Sequence, residues 1–547
     1  MPFDGFTVRA IARELNAALS GARIDKIAQP DADTLVISAR GGVNRRLLAT
    51  CAAACPRVCL TDTARENPAA APLFLMVARK QIGGGRIVSV GQRGFDRVIE
   101  IRVESRDEFG EPRRRVLVAE MMGKHSNVIL TDGAGIILDA LRRVPASVSG
   151  FRQVLPGLPL GLPPGGRLDP TALSAEQFAE AARGGLKTAF EGISPVMAEE
   201  IAARAGGDET RMAGIFAELI READSGAAYI YRDGGRAVDF ACVTIRNYSL
   251  YEAERVSGPS EAAERFYAVK DAAYRQAQRA ADIKRLVKSA ADKCRKKLDA
   301  IDKALAESEG RGKYRAYGEL LTAYAHMAAP GAESLAVQDW NGGGEVVIPV
   351  DPELGAVGTA NKYFKRYGKD KRAAVVSAER RERALMELRY LESVADETER
   401  AETYGELTEI RAELAAAGYV RNRSPKKAPK IKPSGPRRFE RGGFTILVGR
   451  NNAQNDAITK AAAPGDIWLH AKDIPGSHTI IRAEGRAVPD GVIEYAASLA
   501  AYYSSADKSA LCAVDHTARR HVKKPPASPP GFVTYTRQKT IFALPEP

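Results

Sequence analysis

The stretch ADIKRLVKSAADKCRKKLDAIDKAL, residues 281–305, decides how the chain is organised. Its apolar side chains recur at steps of three and four residues, in the order Ile283, Val287, Ala290, Cys294, Leu298, Ile301 and Leu305. Charged side chains fill most of the positions between them. A stripe this narrow buries one seam, so the period predicts a long helix of the coiled-coil kind.

A second periodic stretch further along the chain predicts the partner helix. Its apolar residues are Ala384, Leu388, Leu391, Ala395, Leu407, Ile410, Leu414 and Ala417. We expect residues 259–310 and 374–420 to pair antiparallel as two arms, with residues 311–373 as a middle domain at the arm tip. About 40–45 helical residues at a rise of 1.5 Å would reach roughly 60–70 Å. The alternative is two core helices of a larger α domain.

Composition limits the class of protein and its partners. A chain of 547 residues is too long for one hydrophobic core, so several domains are expected. The net charge of +13 favours a polyanionic partner, either nucleic acid or an anionic membrane surface. No apolar run is long enough to span a bilayer, and Asp4 and Arg9 interrupt any signal peptide, so a cytoplasmic protein without membrane partners is expected.

Residues 1–165 predict an α+β domain with a helix over residues 6–19. Strand-like runs cover residues 34–38, 46–50, 58–60, 97–103, 116–119 and 127–131. Within this domain Cys51, Cys55 and Cys59 fit no metal-ligand spacing and are interpreted as small buried residues.

Two constellations in this domain could bind a ligand. Asp96 and Arg97 follow Gly94 and Phe95 at the head of a predicted strand. On a strand their side chains would point to opposite faces, whereas at a turn both could face one ligand. An ordinary surface turn is the alternative.

The second constellation is the loop over residues 120–127, which carries Lys124, His125 and Asn127 between two predicted strands. Loops of this composition can bind phosphate or a base edge. No nucleophile with a base and an orienting group is evident, so the sequence predicts no catalytic residues and no enzyme.

Residues 166–258 predict an alanine-rich helical region followed by strands. The turn Gly192-Ile193-Ser194-Pro195 could bring backbone amides to a phosphate, and helix capping accounts for it equally well.

The end of the middle segment predicts an RNA contact. Residues 361–372, NKYFKRYGKDKR, contain six cations, three aromatic residues and one acid. Aromatic rings stack on bases and cations neutralise phosphates. The residues expected to contact RNA are Asn361, Tyr363, Phe364, Lys365 and Arg366. A solvated helix start is the alternative.

The last part of the chain predicts a basic linker over residues 421–438 and a small α/β domain over residues 439–547. The RNA contacts expected in this domain are Arg450, Asn451, Trp468, His470, Lys472 and His478. Four of the six histidines lie here, but no recognised ligand spacing completes a zinc site. From the residues alone they are interpreted as hydrogen-bonded core and loop histidines, and neither metal nor cofactor is expected.

With these residues in view, the chain resembles the NFACT family along essentially its whole length. The motifs that carry the resemblance are Phe3-Asp4-Gly5, Gly94–Arg97, Met122–Asn127, Gly192–Pro195, Asn361–Tyr367 and Asp466–His478. It implies a multidomain α+β protein with a glycosylase-like NFACT-N domain, a helix-hairpin-helix module, a long antiparallel coiled-coil arm with a middle domain, and a small α/β NFACT-R domain. The implied ranges are 1–165, 166–258, 259–310, 311–373, 374–420, 421–438 (linker) and 439–547.

The resemblance also implies a function. Family members bind large ribosomal subunits, through rRNA and ribosomal proteins, when stalled peptidyl-tRNA obstructs them. They recruit charged tRNA, alanyl-tRNA in bacteria, for untemplated C-terminal tailing, and the ribosome makes the peptide bonds. The implied tRNA-binding residues are Asp4, Asp96, Arg97, Lys124, His125 and Asn127. The residues implied to dock on the ribosome are Asn361, Tyr363, Phe364, Lys365 and Arg366. The protein is expected to act as a monomer on the ribosome.

Two other classes compete with this expectation. A surface adhesin that binds fibronectin is disfavoured because signal, anchor and repeats are missing. A formamidopyrimidine-type DNA glycosylase would use an N-terminal proline such as Pro2, but Phe3 replaces the acidic residue that should follow and the zinc finger is missing.

Overall fold

The computed structural model describes residues 3–65, 67, 71–107, 109–161, 166–310, 312–340, 342–420 and 434–547. It divides into two compact units, Met1–Arg275 and Gln276–Pro547. Both contain helices and sheets, which confirms the mixed multidomain class predicted from the sequence. Within the described residues, no helix is both long enough and apolar enough to cross a membrane.

The helices are numbered in chain order. They are α1 (Gly5–Leu19), α2 (Leu73–Ile82), α3 (Ala175–Ala182), α4 (Leu186–Ala189), α5 (Pro195–Ala205), α6 (Glu209–Asp224), α7 (Pro259–Glu309), α8 (Gly312–Ala323), α9 (Gly355–Arg400), α10 (Tyr404–Ala416), α11 (Asn452–Ala461) and α12 (Asp490–Tyr502).

The strands are numbered in the same way. In the first unit they are β1 (Arg23–Asp31), β2 (Thr34–Gly41), β3 (Val43–Thr50), β4 (Arg57–Leu60), β5 (Arg86–Gln92), β6 (Val98–Arg106), β7 (Pro112–Glu120), β8 (Asn127–Asp132), β9 (Ile137–Ala140), β10 (Ala228–Asp233), β11 (Arg236–Ala241) and β12 (Glu252–Val256). In the second they are β13 (Ser334–Gln338), β14 (Glu345–Pro349), β15 (Arg437–Arg441), β16 (Phe444–Val448), β17 (Ile467–Ala471), β18 (Thr479–Ile481), β19 (Cys512–Ala518), β20 (Val522–Lys523), β21 (Thr534–Tyr535) and β22 (Lys539–Ala543).

The first unit is built on a nine-stranded antiparallel sheet in the order β4-β3-β2-β1-β5-β6-β7-β8-β9. Helix α1 buries Phe6, Ile11, Leu15 and Leu19 in the same core as the sheet. The predicted helix and six strands are present, but β1, β5 and β9 were not predicted. The two longer ones break the alternation that marks a strand: Asp25 and Lys26 are adjacent charged residues in β1, and Ile87 and Val88 are adjacent apolar residues in β5.

The rest of the first unit is helical, with a three-stranded sheet in the order β11-β10-β12. Phe178, Phe190 and Phe216 on this side join Phe6 and Phe95 in one aromatic cluster. The cluster fixes helices α3–α6 against α1 and the turn before β6. The three cysteines Cys51, Cys55 and Cys59 are buried and free, as predicted.

Helices α7 and α9 run antiparallel in the second unit. Their ion pairs show the direction, because the residue number on α9 falls as that on α7 rises: Lys284 with Glu399, Arg295 with Glu392, Lys297 with Glu387 and Asp302 with Arg381. The buried seam contains most of the predicted α7 stripe and residues of α9 and α10.

The second arm differs from the prediction at both ends. Helix α9 begins at Gly355 rather than at residue 374, so residues 361–372 lie inside it. It ends at Arg400, and α10 is a separate helix capped by Thr403, whose side chain accepts a hydrogen bond from the Glu406 amide (3.2 Å). The reason is a local helix-start signal, Thr403 followed three residues later by Glu406, inside an otherwise continuous helical period.

The C-terminal domain has a six-stranded sheet in the order β15-β16-β18-β17-β19-β22, covered by α12. The domain begins at Arg437 with β15 rather than at residue 439. Arg437 and Arg438 pair with Val448 and Leu447 of β16, and this pairing takes them out of the predicted linker. In the rest of that linker, residues 421–433 lie outside the described residues.

Candidate RNA interface

The N-termini of α1 and α5 meet in the first unit. Residues of three sequence motifs form this junction. The Asp4 carboxylate caps α1 by accepting from the Thr7 amide (3.0 Å), and Ser194 caps α5 by accepting from the Met197 amide (3.2 Å). The Ser194 hydroxyl also donates to the other oxygen of Asp4 (3.1 Å). The two caps are therefore joined directly.

Glycines allow this close approach. The Gly5 amide donates to the Gly192 carbonyl oxygen (2.7 Å). Gly192 has φ +67°, and a Cβ there would overlap the carbonyl oxygen of Phe95. A Cβ on Gly5 would lie 2.6 Å from the same oxygen. Only glycine fits at both positions, which explains why the Phe3–Gly5, Gly94–Arg97 and Gly192–Pro195 motifs come together.

A cavity of about 310 Å³ opens at this junction. Its lining residues are Phe3, Asp4, Arg97, Arg167, Lys187, Gly192, Ile193, Ser194 and Pro195. Three of them are cations, and the N-termini of α1 and α5 add partial positive charge. We call this the N-terminal cavity. Its chemistry fits a phosphate group.

Asp96 and Arg97 lie in the turn that precedes β6. The Asp96 carboxylate accepts from the Arg97 amide (2.8 Å), and Arg97 Nε lies 3.9 Å from the same oxygen. The side chains therefore stay on one side of the turn, unlike the opposite faces expected on a strand. Arg97 lines the cavity, whereas Asp96 lies near Glu191, whose pKa is raised by burial and by the charges of Asp96 and Asp169.

Asp4 has a positioning role in this geometry. Burial raises the pKa of its carboxyl to about 6, although the hydrogen bonds from Thr7 and Ser194 oppose the shift. Both carboxylate oxygens already accept hydrogen bonds inside the protein. The structure thus gives Asp4, predicted to contact tRNA, the task of holding the two helix starts together.

The loop over residues 120–127 lies at the same edge of the sheet. The Met121 amide donates to the Arg97 carbonyl oxygen (2.9 Å), which ties this loop to the turn before β6. Lys124 and His125 are exposed on a short 3-10 turn. Asn127 is buried. Its side-chain amide donates to the Arg142 carbonyl oxygen (2.8 Å) and accepts from the Arg142 backbone N–H (3.0 Å). Direct RNA contact therefore fits Lys124 and His125 but not Asn127.

The residues predicted to dock on the ribosome lie on α9, where part of the set packs inside the protein. The Tyr363 hydroxyl donates to the Pro349 carbonyl oxygen (3.0 Å), and its ring stacks on Tyr314. Arg366 lies over the Tyr314 ring, 4.2 Å from its centroid, and the Phe364 ring packs on Gly318. These aromatic side chains hold α8 against α9. Asn361 and Lys365 are exposed.

The C-terminal residues divide in a similar way. Arg450 forms an ion pair with Glu406, and Asn451 caps α11 through the Gln454 amide (2.9 Å). Asn451 also donates to Glu409 (3.0 Å). Arg450 and Asn451, predicted as RNA contacts, therefore join the C-terminal domain to α10.

Trp468, His470 and His478 come together, and Lys472 is exposed on the next turn of the chain. The three rings line a cavity of about 520 Å³, which we call the Trp468 cavity. Trp468 and His470 lie on the same face of β17, with parallel rings whose centroids are 5.8 Å apart, and His478 meets Trp468 edge-on at 5.3 Å. Among the described residues, no group of three or more His, Cys, Asp or Glu side chains could hold a metal ion.

Comparison with known proteins identifies the family. The model of the NFACT N-terminal and middle domains matches residues 4–433, and that of the NFACT protein RNA binding domain matches residues 437–535. The chain belongs to the NFACT family. The predicted resemblance is confirmed.

Relatives in this family match the whole chain. It is 35% identical to the Rqc2 homolog RqcH of Bacillus subtilis over 564 residues, which cover 100% of this chain and 98% of the relative. It is 33% identical to RqcH of Streptococcus pneumoniae over 562 residues, with the same coverage. A solved C-terminal piece of the fibronectin/fibrinogen-binding protein from Streptococcus suis is 36% identical and covers 50% of this chain and 96% of its own, with a TM-score of 0.41.

Several lining residues had no signal in the sequence. Arg167 and Lys187 are two of 81 cations and lie in no motif. Arg389 and Phe532 reach the Trp468 cavity from segments far apart in the chain. Tyr535 had a weak signal, since it follows Val533 in a short alternating run after a proline-rich segment.

Proposed function

We propose that this protein is a ribosome quality-control factor. It binds large ribosomal subunits obstructed by peptidyl-tRNA and brings charged tRNA, alanyl-tRNA in a bacterium, for untemplated tailing of the stalled chain. Full-length similarity to RqcH and the RNA-binding family domain support this role. On this proposal the protein is a binding factor, and the ribosome makes the peptide bonds.

One observation carries the proposal furthest: three motifs distant in sequence converge on the N-terminal cavity. Phe3–Gly5, Gly94–Arg97 and Gly192–Pro195 contribute two helix N-termini and one cation, to which Arg167 and Lys187 add two more. Such a site favours an anion held by the arginine and lysine side chains, with the two helix dipoles adding positive potential. In the proposed function that anion is a backbone phosphate of the tRNA.

The charges beside the cavity would set the orientation of the tRNA. Arg97 presents a planar guanidinium that can bind phosphate through two hydrogen bonds. The Asp96 carboxylate accepts a hydrogen bond from the Arg97 backbone amide and so fixes the turn that presents this guanidinium. Lys124 and His125, exposed at the same edge of the sheet, would contact the neighbouring backbone.

Two exposed members of the α9 set, Asn361 and Lys365, are proposed to contact the large subunit. Phe364 is 37% exposed and would contribute one accessible ring face. Because the other side chains of this set also hold α8 on α9, their substitution should disturb the middle domain as well as any docking.

The proposal is tested in a strain that lacks the native protein. The variant Asp96→Ala with Arg97→Ala should lose alanine tails on a stalled reporter while still co-sedimenting with large subunits. The reason is that one turn carries the tRNA contact, whereas subunit affinity is spread over many dispersed charges. Loss of a charge-assisted hydrogen bond to phosphate costs about 1.5–3 kcal/mol, or roughly ten- to a hundredfold in occupancy.

The matched control is Arg102→Ala, since Arg102 is an exposed arginine on β6, outside the cavity. It should leave both tails and sedimentation unchanged. Tails of normal length in the double variant would contradict the proposed role of the turn. Wild-type protein that stays at the top of a low-salt gradient would contradict subunit binding itself.

A further inference from the structure

The Trp468 cavity is closed by two parts of the second unit. Helix α9 supplies one wall and the C-terminal domain supplies the rest, and the Asn452 side-chain amide joins them by donating to the Ser393 hydroxyl (2.9 Å). A volume of about 520 Å³ lies in the range of small-ligand sites. Apolar and aromatic side chains in its lining include Met386, Trp468, Ile474, Phe532, Val533 and Tyr535.

An unpaired donor lies in the wall of this cavity. Trp468 is 0% exposed, and its indole Nε1 has no hydrogen-bond partner among the described residues. A buried N–H without a partner costs about 1–3 kcal/mol, so proteins rarely retain one unless water or a ligand satisfies it. The complementary group is a carbonyl oxygen or an unprotonated ring nitrogen.

The interior is aromatic and uncharged near this donor. Burial lowers the pKa of His478 to about 3, and its Nδ1 lies 2.8 Å from the Thr459 hydroxyl. Burial also lowers the pKa of His470, so both imidazoles are neutral at pH 7. The Tyr535 ring centroid lies 4.8 Å from that of Trp468. Such walls favour a flat neutral heterocycle over an anion.

Charge is found at the mouth instead. Arg389 lines the cavity from α9 and is exposed, and Lys472 is exposed beside the lining residue Asp473. The carboxylates Glu392 and Asp473 also line the cavity, and Glu392 forms an ion pair with Arg295 (3.2 Å). A neutral aromatic interior with charged groups outside it matches a nucleotide whose base is inside and whose phosphates lie in solvent near the cations. The lining residues from Asn452 to Tyr535 all belong to the family's RNA binding domain.

We propose that the Trp468 cavity binds one unpaired nucleobase of an RNA strand. Because the Trp468 indole N–H is buried, the lining side chains shift on binding, and the N–H then donates to a carbonyl oxygen or ring nitrogen of the base. Arg389 and Lys472 would contact the flanking phosphates. A duplex cannot supply the ligand, because its bases are stacked and paired, whereas a loop or a single-stranded end can. The assignment rests on the proposed RNA-binding function and names the part of the RNA that this domain receives.

The protein contains two tryptophans, so one substitution isolates the reporter. Trp340 is about half exposed in the middle domain, and Trp340→Phe leaves Trp468 as the single tryptophan of the full chain. This protein is titrated with single-stranded RNA pentamers of each base and with an abasic pentamer of equal charge. The base-containing pentamers should change the Trp468 emission, and the abasic one should leave it unchanged.

Binding of labelled pentamers to variants of the full chain provides a second readout. Trp468→Phe removes the donor and Phe532→Ala removes a ring wall, and each should weaken binding of base-containing pentamers about tenfold, as expected for one base contact. Phe542→Ala, in an exposed ring on β22 outside the cavity, is the control and should have no effect. Arg389→Gln should weaken base-containing and abasic pentamers alike.

Equal emission changes with abasic and base-containing pentamers would overturn the proposal, as would unchanged affinity in both cavity variants. Co-sedimentation of the Trp340→Phe protein with large subunits is measured in parallel. If the protein co-sediments but Trp468 does not respond, the base pocket is wrong while the ribosomal function stands. If it does not co-sediment but Trp468 responds to bases alone, the ribosomal function is wrong while the pocket stands.

Discussion

The N-terminal cavity and the Trp468 cavity have opposite chemistry. The first is lined by three cations, two helix N-termini and the Asp4 carboxylate that caps one of them. The second has an interior of neutral aromatic rings, with a buried N–H that has no partner among the described residues, and Arg389, Glu392 and Asp473 are its charged lining residues. Phosphates are the natural ligands of the first kind of site and bases of the second. On the two proposals together, one chain binds a phosphate at one site and a base at the other.

The difference shows how an RNA-binding protein can divide its tasks. Phosphate contacts provide affinity that depends on salt and is indifferent to sequence, whereas contacts with bases can discriminate between strands. Positive charge strengthens phosphate binding at the N-terminal cavity. The same charge inside the Trp468 cavity would attract any RNA strand and so reduce selectivity for bases. We therefore expect perturbations of the two cavities to have distinguishable signatures.

The largest expected effect comes from Gly192, at the centre of the N-terminal cavity. Gly192→Ala should destabilise the protein by about 3 kcal/mol or more, because its Cβ would meet the backbone oxygen of Phe95, which cannot rotate away. Gly531→Ala in the other cavity should cost less, about 2 kcal/mol, because the clash is with the Asn452 side chain. Denaturant unfolding of the full chain measures both.

The matched control is Gly21→Ala. Gly21 has φ +80°, and its added Cβ would have no neighbour within 4 Å, so this variant isolates the backbone strain at about 1 kcal/mol. A cost for Gly192→Ala no greater than that of Gly21→Ala would show that the close approach is dispensable.

The second effect is a pH dependence of stability from Asp4. Burial raises its pKa from 3.8 to about 6, so the folded protein binds a proton that the unfolded chain has released. The stabilisation from this bound proton is fully present below about pH 4 and is lost as the pH rises through 6. The free energy of unfolding falls by about 3 kcal/mol at most. Asp4→Asn keeps a capping oxygen and should remove this loss. Denaturant unfolding of both proteins at pH 4.5 and pH 8 measures this pH dependence. An Asp4→Asn protein less stable than wild type at pH 8 would contradict the predicted sign.

The opposite sign is expected for His478. Its pKa is lowered to about 3 by burial, so the unfolded chain takes up a proton first as the pH falls. Stability should be flat above about pH 7 and fall by about 2 kcal/mol between pH 7 and pH 5. His478→Asn should flatten this fall. The same pH slope in wild type and variant would show that His478 is not buried neutral in the folded protein.

The smallest effect concerns salt. Lys187→Gln should reduce the slope of log affinity for RNA against log salt concentration by about one, as loss of one phosphate contact predicts. Phe532→Ala should lower affinity and leave the slope unchanged, since no charge is lost. Filter binding at several salt concentrations measures both slopes, and equal slopes for wild type and Lys187→Gln would remove Lys187 from the RNA contact.

Much of the fold follows from periodicity alone. The seam of α7 was predicted because Ile283, Val287, Cys294 and Leu298 repeat without interruption, and such patterns depend on nearest neighbours in the helix. The start of α9 was missed because residues 355–373 combine glycine, aromatic and charged residues, so the apolar stripe is absent there although the backbone is helical. Packing of Tyr363 on Tyr314 supplies what the pattern lacks.

The candidate sites were predicted only as fragments. The motifs around Asp4, Arg97 and Ser194 were visible, but nothing in the sequence placed them at one junction, because the glycine contacts that join them are long-range. The partners that occupy Asn127 and Arg450 were equally invisible, since a polar side chain that binds RNA and one that binds its own backbone have the same composition.

The central claim is that the N-terminal cavity holds charged tRNA, and the most direct measurement is the affinity of the purified full chain for alanyl-tRNA. Arg97→Gln should weaken that affinity by roughly tenfold or more, as expected for a charge-assisted contact, while Arg102→Gln on β6 leaves it unchanged. Equal affinities for wild type, Arg97→Gln and Arg102→Gln would contradict the account.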